Sequence, residues 1–476
     1  MDDEELRYLT ATEAAATFRA KKVSPAEVLE AQIARAEATA DTINAFTYRH
    51  FEEAREAARA AEARFMRGEP LGPLDGLTVA IKDESFIAGK PTSNGSLLMK
   101  DFVPETTTPI NERILAAGAI VHARTATPEF SCAAVTWSRL WGVTRNPWNL
   151  AMTPGGSSGG SAAALAAGMT TLATGSDIGG SIRIPASCCG LVGYKPPYGR
   201  NPDDPPFNLD FFCHTGPLAR SVGDAILLQN VMCGPHPRDI AAIHPKLTLP
   251  REYPSARGMR VAYSPDLGAF AVDAQVRRNT EGALATLRDL GAVVEEVDVG
   301  WGAEALDAPM AYLAHLFGGY LAKMADGRGD EMTTYARAFA AMSRESTSRD
   351  FVAALEAIGE MHLTFGPLME NYDVLVCPAN GLPAVAADFD PSRDTVEIAG
   401  RQVRPELGWM LTTPFNALSR CPVLSVPTGF AKNGVPTGMQ IVGRPYRDED
   451  VFRAGLAFEA AAGGWLGAGA RPAPPA

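Results

Sequence analysis

Between Thr153 and Ala186 the chain reads TPGGSSGGSAAALAAGMTTLATGSDIGGSIRIPA. Two clusters of glycine and serine, 155–161 and 175–181, stand either side of a run of small residues. Glycine opens backbone angles closed to other residues and lets a substrate approach the main chain. Consecutive N–H groups beside it can form a nest for an anion. The serines among them have the chemistry of a nucleophile, a proton relay or an anion donor. Two flexible linkers would lack the flanking Pro154, Asp177, Arg183 and Pro185 and the helix-like run between the clusters.

Composition narrows the rest. The 476 residues are 46% hydrophobic and 21% charged, ordinary for a globular protein with a large core. No low-complexity linker interrupts the middle, so one domain over 1–476 is expected. A net charge of −12 argues against nucleic acid or an anionic membrane as the main partner. Met1-Asp2-Asp3-Glu4-Glu5 is no secretory signal, and no run of about 18 apolar residues suggests a membrane span. Seven scattered cysteines fit a reducing cytoplasm. A monomer or homodimer is expected, with a loose Gly/Ala/Pro-rich tail at 464–476.

Periodicity and capping signals give alternating strands and helices, an α/β layer structure. Ser24-Pro25-Ala26-Glu27 starts a helix: Ser as N-cap, Pro at N1, Glu at N3. The segment 1–70 reads as helical, including a charged, Ala-rich helix at 51–66. Leu77 to Ile81 is a buried strand with Lys82 at its end. Helices are expected at 110–117, 159–167 and 221–232, with strands at 120–123 and 172–174. A strand–helix–strand unit covers 259–263, 276–290 and 293–297. Residues 303–370 read as helices broken near 327–329 and 346–348. The last strands fall at 374–377, 423–426 and 438–442.

The glycine–serine segment resembles the amidase signature family, whose members hydrolyse amides with a Ser–cis-Ser–Lys triad. The resemblance requires an upstream lysine, which Gly76-Leu77-Thr78-Val79-Ala80-Ile81-Lys82-Asp83 supplies. It continues through Trp141–Asn149, Cys189–Pro196 and Gly438–Gly443, nearly the whole chain. It implies a single α/β/α domain around a large mixed sheet, with 303–370 forming a pocket wall. It also implies Ser181 as nucleophile and Ser157, 24 residues earlier, as the cis-serine. The N–H groups of Ile178, Gly179 and Gly180, with that of Ser181, would face the oxyanion. Ser158 would be a supporting hydrogen-bond donor; capping the helix that follows is the structural alternative for both serines. Asp177 and Arg183 would shape the loop, as an ion pair or through a direct role. Ser131 and Cys132 match a position that lines the pocket opposite the nucleophile, or are small buried residues.

Lys82 would be the base. A free lysine, pKa about 10.4, is nearly all protonated at neutral pH. Burial lowers that value. A neutral amine can then take the proton of Ser157, which takes that of Ser181. Asp83 would oppose this if close, but successive strand residues point to opposite faces.

Three rival readings fit the residues less well. Gly155-Gly156-Ser157-Ser158-Gly159 satisfies the nucleophile-elbow pattern G-x-S-x-G, but that motif needs a preceding strand and a late histidine. Asn146–Pro154 is a loop instead, and the last histidine is His362. The second rival is a glutamine-hydrolysing amidotransferase subunit, from which the Pro197–Pro206 stretch departs. The third is a ligand-binding pseudoenzyme, against which an intact triad speaks. Metal and nucleotide motifs are absent, so no cofactor is expected. Met310, Tyr312, Leu313, Leu316, Phe317, Tyr320 and Met324 make 303–370 apolar, which suits aryl or alkyl amides, with carbamates and esters as further substrates. Ser419-Arg420 stands where relatives commonly place glycine, in a loop that usually borders the pocket.

Overall fold

Short apolar runs become strands here because both of their faces are covered. Every residue of Val79–Lys82 and of Val374–Pro378 is buried. The computed structural model describes residues 1–463 and 470–472. Most of the tail expected at 464–476 therefore lies outside the described residues.

Eleven strands form one mixed sheet. They are β1 (Phe46–Arg49), β2 (Val79–Lys82), β3 (Ala123–Thr125), β4 (Leu172–Asp177), β5 (Val192–Lys195) and β6 (His214–Ala219). The second half supplies β7 (Arg260–Tyr263), β8 (Val293–Glu296), β9 (Val374–Pro378), β10 (Val423–Phe430) and β11 (Pro436–Gly443). Across the sheet the order is β1-β3-β2-β4-β6-β5-β10-β11-β9-β7-β8. β2 runs parallel to β3 and β4, with Val79 opposite Leu172 and Lys82 opposite Thr125. β4 runs antiparallel to β6.

The principal helices are α1 (Pro25–Ala38), α2 (Phe51–Arg67), α3 (Gly159–Ala166), α4 (Arg183–Cys189), α5 (Val222–Met232), α6 (Ala274–Asp289), α7 (Glu304–Ala325), α8 (Thr334–Glu345), α9 (Ser348–Met369) and α10 (Asp448–Ala462). They cover both faces. Val79, Ile81 and Leu172 point into a core with α5, α6 and α10, while Ala80 and Ala173 point into one with α1, α3 and α4. Lys82 shares the phase of Ala80, which turns it toward α3 and the glycine–serine clusters. α3 can approach so closely because its first turn is glycine: a Cβ on Gly160 would lie 2.3 Å from the Ala126 nitrogen. α1 begins as its sequence predicts, with Glu27 N donating to Ser24 Oγ (3.2 Å) and Ser24 N to Glu27 Oε2 (2.7 Å).

Two local expectations fail. The strand expected at 120–123 forms at Ala123–Thr125, and Ile120 keeps only an isolated bridge to Thr78. The apolar run ends before the strand does, because buried Arg124 belongs to it and donates to the carbonyls of Lys82 and Ser85. The segment 1–70 is not helical throughout, since β1 leaves it to pair antiparallel with β3. Among the described residues no helix is long and apolar enough to cross a membrane.

Candidate active site

The carboxyl ends of β2 and β4 lie side by side, where loops leaving parallel strands build sites in α/β sheets. Lys82 ends β2 and is 1% exposed. Its Nζ is 2.7 Å from Ser157 Oγ and 2.8 Å from Ser176 Oγ. The Gly156–Ser157 peptide is cis. Glycine precedes it because a Cβ on Gly156 would sit 2.3 Å from the Val135 carbonyl oxygen. Burial lowers the Lys82 pKa, while the Glu84 carboxylate, 3.1 Å from Nζ, pulls it back up. Asp83 faces away: it accepts hydrogen bonds from Ser93 N and Oγ, and burial pushes its pKa to about 6.

The second cluster forms the turn between β4 and α4. Asp177 and Arg183 make a fully buried bidentate pair, at 3.0 and 2.7 Å, beneath that turn. Burial pushes the Asp177 carboxyl up, but Arg183 and Asn416 hold it well below the usual range. Arg183 also donates to Asn416 Oδ1, Gln440 Oε1 and the Thr412 carbonyl. The pair thus shapes the loop from below rather than lining the cleft.

The turn's peptides are oriented from outside. Thr412 and Thr413 both donate from Oγ1 to the Gly179 carbonyl, at 2.7 and 3.0 Å. In a planar trans peptide the N–H points opposite its C=O, so these bonds aim the Gly180 N–H away from the threonines. Asn416 Nδ2 holds the Asp177 carbonyl at 3.0 Å and so orients the Ile178 N–H. Gly180 has φ +130°, and a Cβ there would lie 2.0 Å from Thr412 Oγ1. Among the described residues none accepts a hydrogen bond from the N–H of Ile178, Gly179, Gly180 or Ser181.

Ser181 is 7% exposed and lines a cleft that opens to solvent. Ser158 does not cap α3. Its N–H donates to the Ser181 carbonyl (3.2 Å), and its Oγ accepts from Ser176 N and donates to Ser176 O. Capping would need the hydroxyl to turn into the helix, and the two clusters hold it instead. Ser131 and Cys132 both line the cleft, with Ile178 and Gly179 beside them. α7 and α8 line it with apolar residues, Leu313 and Phe317 from α7 and Phe339 and Met342 from α8, while Leu407 lies beside Gly179 and Ser392 and Glu406 add polar groups. Among the described residues no group of His, Cys, Asp or Glu side chains is placed to hold a metal ion.

Residues 27–452 match the family model described as Amidase. The chain belongs to the amidase family. It is 34% identical over 468 residues to an acylamidase of Rhodococcus erythropolis, covering 97% of each chain. It is 35% identical over 488 residues to the A subunit of the glutamyl-tRNA(Gln) amidotransferase of Anaeromyxobacter sp. (strain K), covering 96% of each. The crystal structure of a bacterial aryl acylamidase of the amidase signature family superposes with TM-score 0.88 at 29% identity, covering 95% of this chain and 96% of that one. The resemblance carried by the glycine–serine clusters is thereby established, as is the α/β fold it implied.

Several neighbours of the amidase site went unmarked in the sequence. Glu84 lies in the turn after β2, two residues beyond Lys82, with its N–H donating to the Lys82 carbonyl at 2.8 Å, and no strand period marks it. Phe339 and Met342 follow Tyr335 at helical spacing. Of the apolar residues singled out on 303–370, Leu313 and Phe317 line the cleft, while Tyr312 is buried behind the wall and donates to Asp210. The Ser419-Arg420 pair does not border the cleft: Ser419 is buried, and Arg420 stacks over Tyr198 and Phe211. Thr412 and Thr413, a few residues earlier, touch the amidase turn instead.

Proposed function

We propose that this amidase cleaves the C–N bond of small amides carrying an aryl or alkyl group, through an acyl-enzyme on Ser181. Neutral Lys82 accepts the proton of Ser157, Ser157 accepts that of Ser181, and Ser181 Oγ attacks the carbonyl carbon. The N–H groups of Ile178, Gly179, Gly180 and Ser181, which have no other acceptor among the described residues, receive the oxyanion. Collapse breaks the C–N bond, and the leaving nitrogen receives the proton held on Lys82, relayed through Ser157. Water then repeats the sequence on the acyl-enzyme and releases the acid. Carbamates and esters present the same carbonyl to the same groups.

The apolar wall facing Ser181 carries the substrate reading. A free amino acid such as glutamine has a carboxylate to neutralise. Yet among the described residues that line the cleft there is no lysine or arginine, and the charged one, Glu406, is acidic. This favours an acylamidase role over glutamine hydrolysis, the reaction suggested by the amidotransferase relative. The test is a panel of anilides, aliphatic amides, phenylcarbamates and glutamine. Anilides or alkyl amides should be turned over best; glutamine as the preferred substrate would overturn the reading.

A further inference from the structure

One carboxylate stands between the proposed base and the cleft. Glu84 Oε2 lies 3.1 Å from Lys82 Nζ and accepts a 2.5 Å hydrogen bond from Ser131 Oγ. Its side chain is 18% exposed. Ser131 lines the cleft and is held at φ +56°, with Thr127 Oγ1 2.9 Å from its hydroxyl. Because the Ser131 proton goes to Glu84, Thr127 is the donor in that contact. A chain of polar contacts therefore runs from the cleft through Ser131 and Glu84 to Lys82.

The other groups around this chain leave Glu84 as the charge that acts on the lysine. Asp177, from β4, is neutralised by Arg183. Ser157 and Ser176 are uncharged. Cys213, which precedes β6, is held protonated because burial pushes its thiol well above its ordinary value. Arg124, from β3, faces Asp83 at 3.8 Å, donates from Nη2 to the Lys82 and Ser85 carbonyls, and shares its electrostatic interaction between Asp83 and Glu84. Asp203 faces Glu84 from the segment before β6, with its carboxyl pushed by burial to about 7.

We propose that Glu84 is a positioning residue for the reaction: it anchors the Lys82 side chain in the unloaded site and sets the pH at which that amine becomes free to act as base. This rests on the reading of Lys82 as base. Glu84 needs no proton of its own in the cycle. It holds the ammonium form by charge, and through Ser131 it feels what fills the cleft.

The experiment is the pH–rate profile of Glu84→Gln on an anilide, with the rate of Ser181 labelling by a fluorophosphonate followed in parallel. Removing an opposite charge at this distance should move the acid limb of kcat/KM to lower pH by about one unit. Below the limb the variant then retains about tenfold more of its own plateau rate than the wild type does, and labelling follows the same curve. Ser131→Ala is the second variant. It strips the carboxylate of its hydrogen bond, concentrates its charge on Lys82 and moves the limb upward. Asp203→Asn should leave the wild-type limb in place. An unmoved limb in Glu84→Gln, or in Ser131→Ala should the first variant not fold, overturns the proposal, as does a limb that follows Asp203→Asn instead. Full activity in Lys82→Ala would be a different failure, that of the base assignment.

Discussion

The two sides of the cleft are built on opposite principles. On the Ser181 side, the side chains and carbonyls beneath the turn are held by directed hydrogen bonds, often from a distant part of the chain: Arg183 alone joins Asp177, Thr412, Asn416 and Gln440. The turn's own N–H groups, from Ile178 to Ser181, are left without an acceptor among the described residues. On the α7–α8 side, Leu313, Phe317, Phe339 and Met342 meet the cleft through apolar surface alone. Hydrogen bonds fix direction, and a buried one left unmade costs the full desolvation of its group. Apolar packing fixes volume and tolerates exchange of similar shapes. One side should therefore resist substitution while the other tunes the choice of substrate.

The largest effect should come from Ser181→Ala, which removes the proposed nucleophile and leaves the floor intact. A loss of about 10⁴-fold or more in kcat is expected, with an unchanged melting curve. Residual activity of more than a few per cent would place the nucleophile elsewhere. Next comes Arg183→Met, which strands a buried carboxylate. It should lower the unfolding free energy by about 3–5 kcal/mol in a denaturant titration. A loss below about 1 kcal/mol would mean that the floor is not the rigid side.

Thr412→Val tests the orientation of the turn without touching its donors. Thr413 still holds the Gly179 carbonyl, so kcat should fall about tenfold at constant KM, short of the roughly 10²–10³ that follows loss of an oxyanion donor outright. A change in KM alone would assign Thr412 to binding. The smallest effect belongs to the wall. Met342→Leu should leave stability within about 1.5 kcal/mol while changing the ratio of rates on bulky and small anilides. If it destabilises the protein as much as Arg183→Met does, the contrast between the two sides collapses.

The same contrast decides what the sequence could reveal. Ser157 and Ser181 sit in glycine-rich clusters whose composition betrays close backbone approach, so their neighbourhood was legible, whereas Lys82 came only from the resemblance, which requires an upstream lysine. The fold was legible as well, because strands and helices alternate with clean apolar periods. The partners of the turn were not. Thr412, Thr413 and Asn416 lie more than two hundred residues away along the chain, and an isolated Thr-Thr pair carries no signal of the carbonyl it will meet. Glu84 was hidden differently: Asp83 beside it carries the same charge, and both lie in the turn after β2, where no strand period tells which of the two shares the lysine's side. On the wall, apolar residues were visible, but periodicity alone does not separate those that face the cleft from those, like Tyr312, that pack behind it.

The grip of Thr412 and Thr413 on the Gly179 carbonyl also bears on the protein's synthesis. Ser181 and Lys82 leave the ribosome long before residue 412, yet the turn gains its final aim only once that later segment arrives. A nascent chain carries the proposed nucleophile without the frame that aims its turn. The turn is thus born with its safety on, and the segment that releases it follows more than two hundred residues after Ser181.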